Sequence, residues 1–375
     1  MAYDRPDYRS ARERAGFHWS VSACYLCPMA LAGVPYRDFN LRPEACIEAY
    51  AVGRPRMVEM FGDWLPPLAP ATPPVSYGHV NCLGSELLFP EGGEVAHTHP
   101  YASLEEGILR LQEPVDWATS GMAPFYLEFR RRMQAAFPAE KVGFGFGVEG
   151  PITTAYELRG EGFFTDLFDA PERVHEFLHR VTDSIVGYAS WRAGLDGGAT
   201  PNPEGSGMAD DIASFVPHHR FAQCVLPYWE QYYTGLTTGH RTAHVEDLRE
   251  QQLPFLEQIG LSSFDPGISR RLSPPMLRDK TRVPFGWRLG SFHYPSMDEQ
   301  AVRDFVFQTA ADGASSVFTI IEGTMATDQG VRKVQAFREA GEQAQRLLAQ
   351  GCSRQELGTR VSAAGRKRFW ACFPE

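Results

Sequence analysis

Two side chains that could bind a metal ion or move a proton stand two residues apart in the stretch RTAHVEDL, residues 241–248. They are His244 and Glu246, and they come where an apolar segment ends and a polar one begins. Imidazole nitrogens and carboxylate oxygens can both ligate divalent cations, and both can accept protons. From the residues alone, a metal site, an acid/base pair and an ordinary loop salt bridge remain three alternatives.

More ionisable side chains stand at the ends of other short apolar runs. They are Glu149, Asp210, Asp211, Asp265, Arg288, His293 and Glu322. Of the adjacent pair, we expect one aspartate to cap the following helix and the other to face substrate, because neighbouring strand-end residues point opposite ways. Asp265 precedes Pro266-Gly267, so a turn role and a site role both stay open there.

The elements that would position these groups alternate regularly from about residue 140 onward. Six short apolar runs are each followed by an amphipathic helical run, and residues 20–27 and 73–80 supply two earlier candidate strands. Such alternation requires crossover connections and a parallel sheet. Eight units predict an α/β fold, a (β/α)8 TIM barrel, with a doubly wound sheet as the alternative. In a barrel of parallel strands, the strand-end residues would share one face.

The domain organisation predicted from composition has three parts. Residues 1–70, rich in proline, arginine and aromatic residues, form an N-terminal helical extension packed on the barrel. Residues 71–350 form the barrel, and residues 351–375 form a C-terminal tail.

Composition excludes several classes of function. The net charge of −10 would repel nucleic acid phosphates, so DNA and RNA are not expected as partners. No run of 18 apolar residues is present, so no membrane span is expected. The N-terminal residues are charged and show no secretory signal, and an odd number of cysteines suits reduced thiols. These features together predict a cytoplasmic enzyme.

Two shorter motifs leave their alternatives open. Cys24 and Cys27 form a single CxxC pair in an apolar run, which favours core packing over a metal or redox role. His97 and His99 lie in a predicted loop, and a surface position is favoured over a contribution to the metal site.

The chain resembles the uroporphyrinogen decarboxylase (URO-D) superfamily over about residues 70–350. The resemblance rests on an ordered set of motifs: GPITTAYELRG, ADDIASFVPHHRFAQCVLPYWEQYY, the His-x-Glu strand end, FDPG and VFTIIEG. It implies the (β/α)8 barrel. Within the superfamily, the chain is more similar to the methylcobalamin-dependent methyltransferases, which pass methyl groups to thiols, than to true uroporphyrinogen decarboxylase.

The resemblance also implies a set of metal ligands. The methyltransferases bind zinc through His-x-Cys after the fifth strand and Gly-Cys-Gly after the last, and these positions fall on His244, Glu246 and Glu322. Both cysteines are therefore replaced by carboxylates. One His and two carboxylates favour a harder cation than a His/Cys/Cys set does. The expected cofactor is a divalent metal ion, zinc first, with iron or manganese as alternatives.

The features of the true decarboxylases are incomplete. Their arginine-containing N-terminal loop is absent, and their catalytic tyrosine falls near Tyr156 in a loop that is one residue shorter. A tetrapyrrole polycarboxylate also calls for a basic cleft, whereas the strand ends here are mostly acidic. Uroporphyrinogen is therefore disfavoured as the substrate.

Together, the residues and the resemblance predict a metal-dependent enzyme that transfers a methyl group to or from a small-molecule substrate. A methylcorrinoid carried by a partner corrinoid protein and a homodimer are further expectations. The predicted roles are catalysis by Asp211, Asp265 and Glu149, and substrate binding by Asp210, Tyr156, Arg288 and His293. The alternatives are a decarboxylase or lyase that acts on a small carboxylic acid or a tetrapyrrole, and a non-catalytic barrel that binds a small ligand.

Overall fold

A computed structural model of the chain describes residues 3–368. The described chain divides into two compact units. The first unit comprises residues 3–4, Val34–Glu48 and Ala69–Ala243. The second comprises Arg5–Gly33, Ala49–Leu68 and the described residues from His244 onward. Of the predicted C-terminal tail, residues 369–375 lie outside the described part of the chain.

The strands are short. They are β1 (His18–Ala23), β2 (Leu87–Leu88), β3 (Ala96–His97), β4 (Gly205–Ala209), β5 (His240–His244), β6 (Ser263–Asp265), β7 (Gly286–Leu289) and β8 (Ser316–Ile321).

Helices make up most of the regular structure. They are α1 (Ala11–Ala15), α2 (Leu26–Ala32), α3 (Tyr36–Leu41), α4 (Pro43–Glu48), α5 (Arg54–Phe61), α6 (Gly78–Cys82), α7 (Leu104–Arg110), α8 (Ala123–Ala136), α9 (Pro151–Arg159), α10 (Gly162–Asp169), α11 (Pro171–Leu195), α12 (His218–Cys224), α13 (Leu226–Leu236), α14 (Phe255–Gln258), α15 (Pro274–Lys280), α16 (Glu299–Ala311), α17 (Asp328–Ala349), α18 (Arg354–Gly358) and α19 (Ala363–Arg368). Shorter turns of helix are the π-helix Ala49–Gly53 and the 3-10 helices Asp211–Phe215, Glu250–Gln252, Ser291–Ser296 and Gly323–Met325.

The first unit contains the antiparallel pair β2 and β3 and, in addition, four extended segments in sequence order. Parallel bridges join Ala71 to Gly143 and Val75 to Phe146, so segments 71–75 and 143–146 run side by side. The second segment then approaches β4, where the amide of Gly150 donates to the carbonyl of Ala209 at 2.6 Å. Strand β4 lies beside β5. Helix α11 covers this unit with one apolar face, as its 3.6-residue periodicity predicts.

The second unit also contains four extended segments. Strand β8 is central between β1 and β7 and is parallel to both. A parallel bridge between Phe264 and Phe285 brings β6 next to the segment that leads into β7. Strand β1 overlaps the strand predicted at 20–27, so the segment predicted as an N-terminal extension contributes a strand to this sheet. The helices α16 and α17 flank it and bury Val302, Val306 and Phe337.

The fold is therefore α/β with parallel sheets, which confirms the predicted class. The two units hold eight parallel-type segments, the number that a (β/α)8 barrel needs. Their strands form separate sheets of the described residues rather than one closed sheet, so closure into a barrel stays a prediction. Among residues 3–368, no helix is both long and apolar enough to cross a membrane.

Candidate functional site

The histidine of the His-x-Glu motif is held by an aspartate from the neighbouring strand. His244 ends β5, and its Nδ1 lies 2.8 Å from Oδ2 of Asp265 at the end of β6. Because a carboxylate only accepts, Nδ1 carries the hydrogen and donates it. The other ring nitrogen, Nε2, lies 3.8 Å from Oε1 of Glu246. The structure thus brings together three side chains that the sequence singles out, each about one third to two fifths exposed.

The FDPG turn positions two of these carboxylates. Asp265 Oδ1 accepts from the amide of Gly267 at 2.9 Å, and Glu246 Oε1 accepts from the amide of Ile268 at 3.3 Å. Gly267 has a φ of +62°, and a Cβ there would come within 2.3 Å of Glu246 Cγ. Only glycine allows this backbone conformation together with such a close approach. Asp265 therefore has the predicted turn role and also contacts His244, while its catalytic role stays a prediction.

The predicted third ligand, Glu322, has other partners. It follows β8, where its Oε1 lies 3.3 Å from Nη2 of Arg288 and its Oε2 accepts from the hydroxyl of Ser291 at 2.6 Å. Arg288 is on β7, so parallel neighbours bring the pair together at one edge of the sheet. Both side chains are about three quarters buried, which strengthens their attraction relative to a surface pair.

These contacts test the predicted set of metal ligands. His244 and Glu246 lie close enough to share a cation, and Asp265 behind the imidazole is the partner that metal-binding histidines usually have. Glu322, however, is paired with the guanidinium of Arg288. Within residues 3–368, no group of three or more His, Cys, Asp or Glu side chains is arranged to hold a metal ion. In this arrangement the three predicted ligands do not fit one cation.

Asp210 is fully buried and binds protein groups. Its carboxylate accepts from the amides of Ile152 and Thr153, at 3.3 and 2.6 Å, and from the indole of Trp229 at 2.6 Å. The two amides belong to the first turn of α9, so Asp210 caps that helix from β4, and not the helix that follows it in sequence. Burial raises the pKa of Asp210 to about 6, against the effect of these hydrogen bonds. A substrate contact by Asp210 stays a prediction.

A second carboxylate cluster lies in the first unit. Glu157, on α9, is 3% exposed, and burial raises its pKa well above the ordinary value, with the negative charges of Glu149 and Asp210 adding to the effect. Glu149 also raises the pKa of Tyr77, after the larger effect of burial. Glu149 and Asp211 are half-buried, and their catalytic roles stay predictions.

The other predicted residues occupy varied environments. Tyr156 stacks edge-on against His99, with 5.3 Å between ring centroids, and His99 Nδ1 bonds the Glu157 carbonyl at 2.8 Å. The loop histidine His97 is also half-buried, and burial lowers its pKa. His293, on the 3-10 helix after β7, likewise has its pKa lowered by burial.

The two cysteines of the CxxC pair have different surroundings: Cys27 lies in the core, and Cys24 lies near the candidate site. Cys27 is fully buried, in agreement with a core role, and burial raises its pKa to about 12. Cys24 is only partly buried and follows β1 near Glu322 and Arg288. Burial raises the pKa of its thiol, and Glu322 raises it further while Arg288 lowers it. Cys24 is therefore an uncharged neighbour of the Glu322–Arg288 pair.

Two site residues were not predicted from sequence. Ser291 donates to Glu322 from the turn after β7, and nothing in GSFHY distinguishes it from a helix cap. Glu157 lies among apolar neighbours in AYELRG, and the only signal is a carboxylate next to the buried Leu158 of a short helix. Both depend on tertiary neighbours, which no local spacing reveals.

A parallel-strand α/β fold with ionisable residues at its strand ends is typical of enzyme scaffolds. Comparison with known proteins identifies the family. The uroporphyrinogen decarboxylase (URO-D) family model matches residues 78–271, more than half of the chain. The chain therefore belongs to the uroporphyrinogen decarboxylase family, the resemblance predicted from its motifs.

Among solved structures, a methyltransferase from Methanosarcina mazei has the same fold. The superposition has a TM-score of 0.62 and covers 89% of this chain and 96% of that chain, at 16% sequence identity. No curated protein matches the chain in sequence.

Proposed function

We propose that this chain is a one-carbon transfer enzyme of the URO-D family that moves a methyl group to or from a small substrate at the His244 site. The observation that supports this proposal is the His244–Asp265 hydrogen bond, with Glu246 on the other side of the ring. The likeness to a methyltransferase structure supports methyl transfer over decarboxylation. We also propose that the eight strand segments close into one (β/α)8 barrel.

The chemistry of the chain's own residues follows from this geometry. With Nδ1 donating to Asp265, Nε2 of His244 is the nitrogen that accepts a proton from an incoming thiol, hydroxyl or water. Asp265 and Glu246 then stabilise the imidazolium cation from both sides, at 2.8 and 3.8 Å. Deprotonation turns the acceptor into a nucleophile, and the methyl group passes to it without its bonding electrons.

The other strand-end groups supply binding. Arg288 carries a positive charge at the end of β7. Glu322, which accepts a hydrogen bond from Ser291, fixes its position. A fixed guanidinium is suited to a substrate carboxylate or sulfonate. We assign substrate binding to Arg288, and to Tyr156 and His293, in line with the sequence prediction. Glu149 and Asp211 remain the proposed groups for further proton transfer.

The direct test uses methylcobalamin as the methyl donor and small thiols as acceptors. Transfer of the methyl group leaves cob(I)alamin and a thioether, while the thiol proton goes to His244. The change in the visible spectrum of the corrinoid reports the rate. We expect His244→Ala to lose at least about 100-fold in rate, since a positioned general base typically contributes 100- to 10,000-fold.

The matched control is His240→Ala, which changes an exposed histidine at the start of the same strand. We expect it to retain the wild-type rate. An equal loss in both variants would show that the strand, and not the site, is affected. If the wild type does not demethylate methylcobalamin with any thiol, methyl transfer from this donor is refuted.

The divalent cation is a separate prediction. For His244, Glu246 and Glu322 to hold one ion, Glu322 must exchange Arg288 and Ser291 for the cation. Arg288→Gln removes the competing positive charge, so it should raise the affinity for zinc, iron or manganese if this prediction is correct. Metal analysis and titration of the purified chain measure the metal affinity. The control is Arg303→Gln, which removes an ion pair with Glu339 in the same unit.

The alternative activity is decarboxylation of a small carboxylic acid or a tetrapyrrole. The family match favours it directly, because the family is described by that reaction. Incubation with uroporphyrinogen, followed by chromatography of the porphyrinogen products, distinguishes it from methyl transfer. If neither reaction occurs while ligands still raise the unfolding temperature, a non-catalytic binding role is supported. A partner corrinoid protein and a homodimer are tested by co-purification and by mass in solution.

A further inference from the structure

A cavity of about 690 Å³ lies in the second unit, away from the His244 site. Its walls include His18, the first residue of β1, and Gly313, shortly before β8. These parallel strands begin at this edge of the sheet, whereas Glu322 and Cys24 follow their opposite ends. The cavity is therefore at the other end of the strands from the candidate active site. Its volume is typical of a small-molecule site.

The cavity is strongly basic in an acidic protein. Four arginines line it against a single carboxylate, Glu13. The arginines are Arg12, Arg14, Arg278 and Arg354. The chain as a whole carries a net charge of −10. A local excess of positive charge in such a chain is a focus for anions.

The two more deeply buried arginines contact carbonyl groups and not carboxylates. Arg12 donates to the carbonyls of Leu277 and Val283, at 2.8 and 3.1 Å. Arg354 donates to the carbonyl of Ala314 at 2.9 Å and to that of Ala310. These contacts cap helix ends and fix both guanidinium groups in place. They satisfy hydrogen bonds, but neutral carbonyl groups do not neutralise the two positive charges.

The neighbouring carboxylates each pair with another arginine, and the partner of Asp279 is Arg278, which itself lines the cavity. Glu257 pairs with Arg282 at 2.6 Å, and Asp279 pairs with Arg278 at 2.8 Å. Within residues 3–368, neither Arg12 nor Arg354 has a carboxylate oxygen within 4 Å. Burial, together with repulsion from Arg354, lowers the pKa of Arg12 to about 10, against the opposing attraction of Glu257 and Asp279. Charges held in this way are costly until an anion compensates them.

We propose that this cavity is a binding site for a small phosphate-bearing polyanion, separate from the active site. Guanidinium groups bind phosphate oxygens with paired, charge-assisted hydrogen bonds. Arg12 and Arg354 supply fixed charge at the base. Arg14 and Arg278 are about half exposed and supply further donors at the entrance, where they also pair with Asp7 and Asp279. Nucleic acid does not suit the site, because the surrounding chain is acidic.

The test is calorimetric titration of the full chain with pyrophosphate, orthophosphate and glycerol 3-phosphate. We expect saturable 1:1 binding at micromolar to millimolar concentrations, weakened by added salt and accompanied by a rise in unfolding temperature. Tighter binding of glycerol 3-phosphate than of orthophosphate identifies a phosphorylated metabolite as the ligand class. The reverse order identifies free phosphate or pyrophosphate. No saturable binding of any of these probes overturns the proposal.

The variants address the entrance arginines, so that the helix caps remain intact. Arg14→Gln and Arg278→Gln should each weaken pyrophosphate binding about tenfold, the loss expected for one charged hydrogen bond. The control is Arg332→Gln, an exposed arginine of the same unit that does not line the cavity. Its affinity should equal that of the wild type. Equal affinities in all three variants would overturn the proposal, and methyl transfer should be unchanged in each.

Discussion

The imidazole of His244 and the carboxylate of Asp265 are joined by a hydrogen bond of 2.8 Å between the ends of two consecutive strands. The bond fixes which ring nitrogen carries the hydrogen and which can accept a proton. It also orients the ring toward Glu246. The hydrogen bond is useful with or without a bound cation, because a carboxylate behind the ring assists both a general base and a metal ligand.

Asp265→Asn should therefore slow methyl transfer without unfolding the protein. The amide can donate as well as accept, so it no longer dictates the tautomer of His244. We expect the rate of methyl transfer to fall by at least about tenfold, the lower end for loss of such a partner. The control is Asp328→Asn, an exposed aspartate in the first turn of α17. Wild-type rates for Asp265→Asn would show that its hydrogen bond has no role in the reaction.

Gly267→Ala should damage the site through Glu246. The new Cβ would stand 2.3–2.7 Å from three atoms of the glutamate side chain, which must then move. The positive φ adds about 1–2 kcal/mol of backbone strain. Gly33→Ala is the matched control, because Gly33 has a φ of +73° with no atom within 4 Å of its Cβ position.

The two glycine variants separate strain from displacement. Both should lower the free energy of unfolding by a similar amount, measured with urea. Only Gly267→Ala should also lower the rate of transfer measured on folded protein. If both variants keep full activity, the position of Glu246 does not matter for catalysis.

The fold class was predictable from sequence because alternating apolar runs and amphipathic helices leave few arrangements. The run VFTIIEG became β8, and the run with Val174, Phe177 and Leu178 became the buried face of α11. Predicted strand 73–80 was less accurate. The structure has segment 71–75 there, followed by helix α6 from Gly78, because Tyr77-Gly78 ends the extended stretch.

The site was predictable in part. His244, Glu246 and Asp265 meet because the ends of neighbouring strands meet, which follows from topology. Glu322 satisfies the same rule, yet it pairs with Arg288 on the adjacent strand. Sequence placed both residues at the same face but could not rank their partners. That ranking depends on side-chain distances of a few ångströms, and only tertiary structure supplies them.

Glu157→Gln should stabilise the protein at neutral pH. Glu157 is buried, and its pKa is raised above that of the unfolded chain. Stability from the protonated group is fully present below the unfolded value of 4.5 and is lost as the pH rises toward the folded value. Glutamine keeps the shape and removes this loss. Urea unfolding at pH 7 and pH 5 should show a larger gain at pH 7.

The control for Glu157 is Glu172→Gln, an exposed glutamate at the start of α11 in the same unit. It should change the free energy of unfolding by less than about 0.5 kcal/mol at either pH. A loss of stability in Glu157→Gln at pH 7 would mean that the carboxylate has a stabilising partner and is ionised in the folded state.

His79 should make the folded chain sensitive to acid. Its ring is fully buried against Trp117 and Tyr188, and its Nε2 lies 2.9 Å from the hydroxyl of Ser184. Burial lowers its pKa to about 3, so the ring stays neutral in the folded state while it protonates in the unfolded chain below pH 6.5. Stability is therefore lost as the pH falls below 6.5, by up to about 1.4 kcal/mol per pH unit.

The double variant His79→Phe/Ser184→Ala removes both hydrogen-bonding partners together, which avoids leaving one buried and unsatisfied. We expect its free energy of unfolding, measured with urea between pH 6.5 and pH 4, to fall less steeply than that of the wild type. His179→Gln changes an exposed histidine of the same helix that carries Ser184, and it should keep the wild-type slope. The same slope in all three proteins would mean that His79 is protonated in the folded chain. Its Nδ1 would then need a hydrogen-bond acceptor in the folded protein.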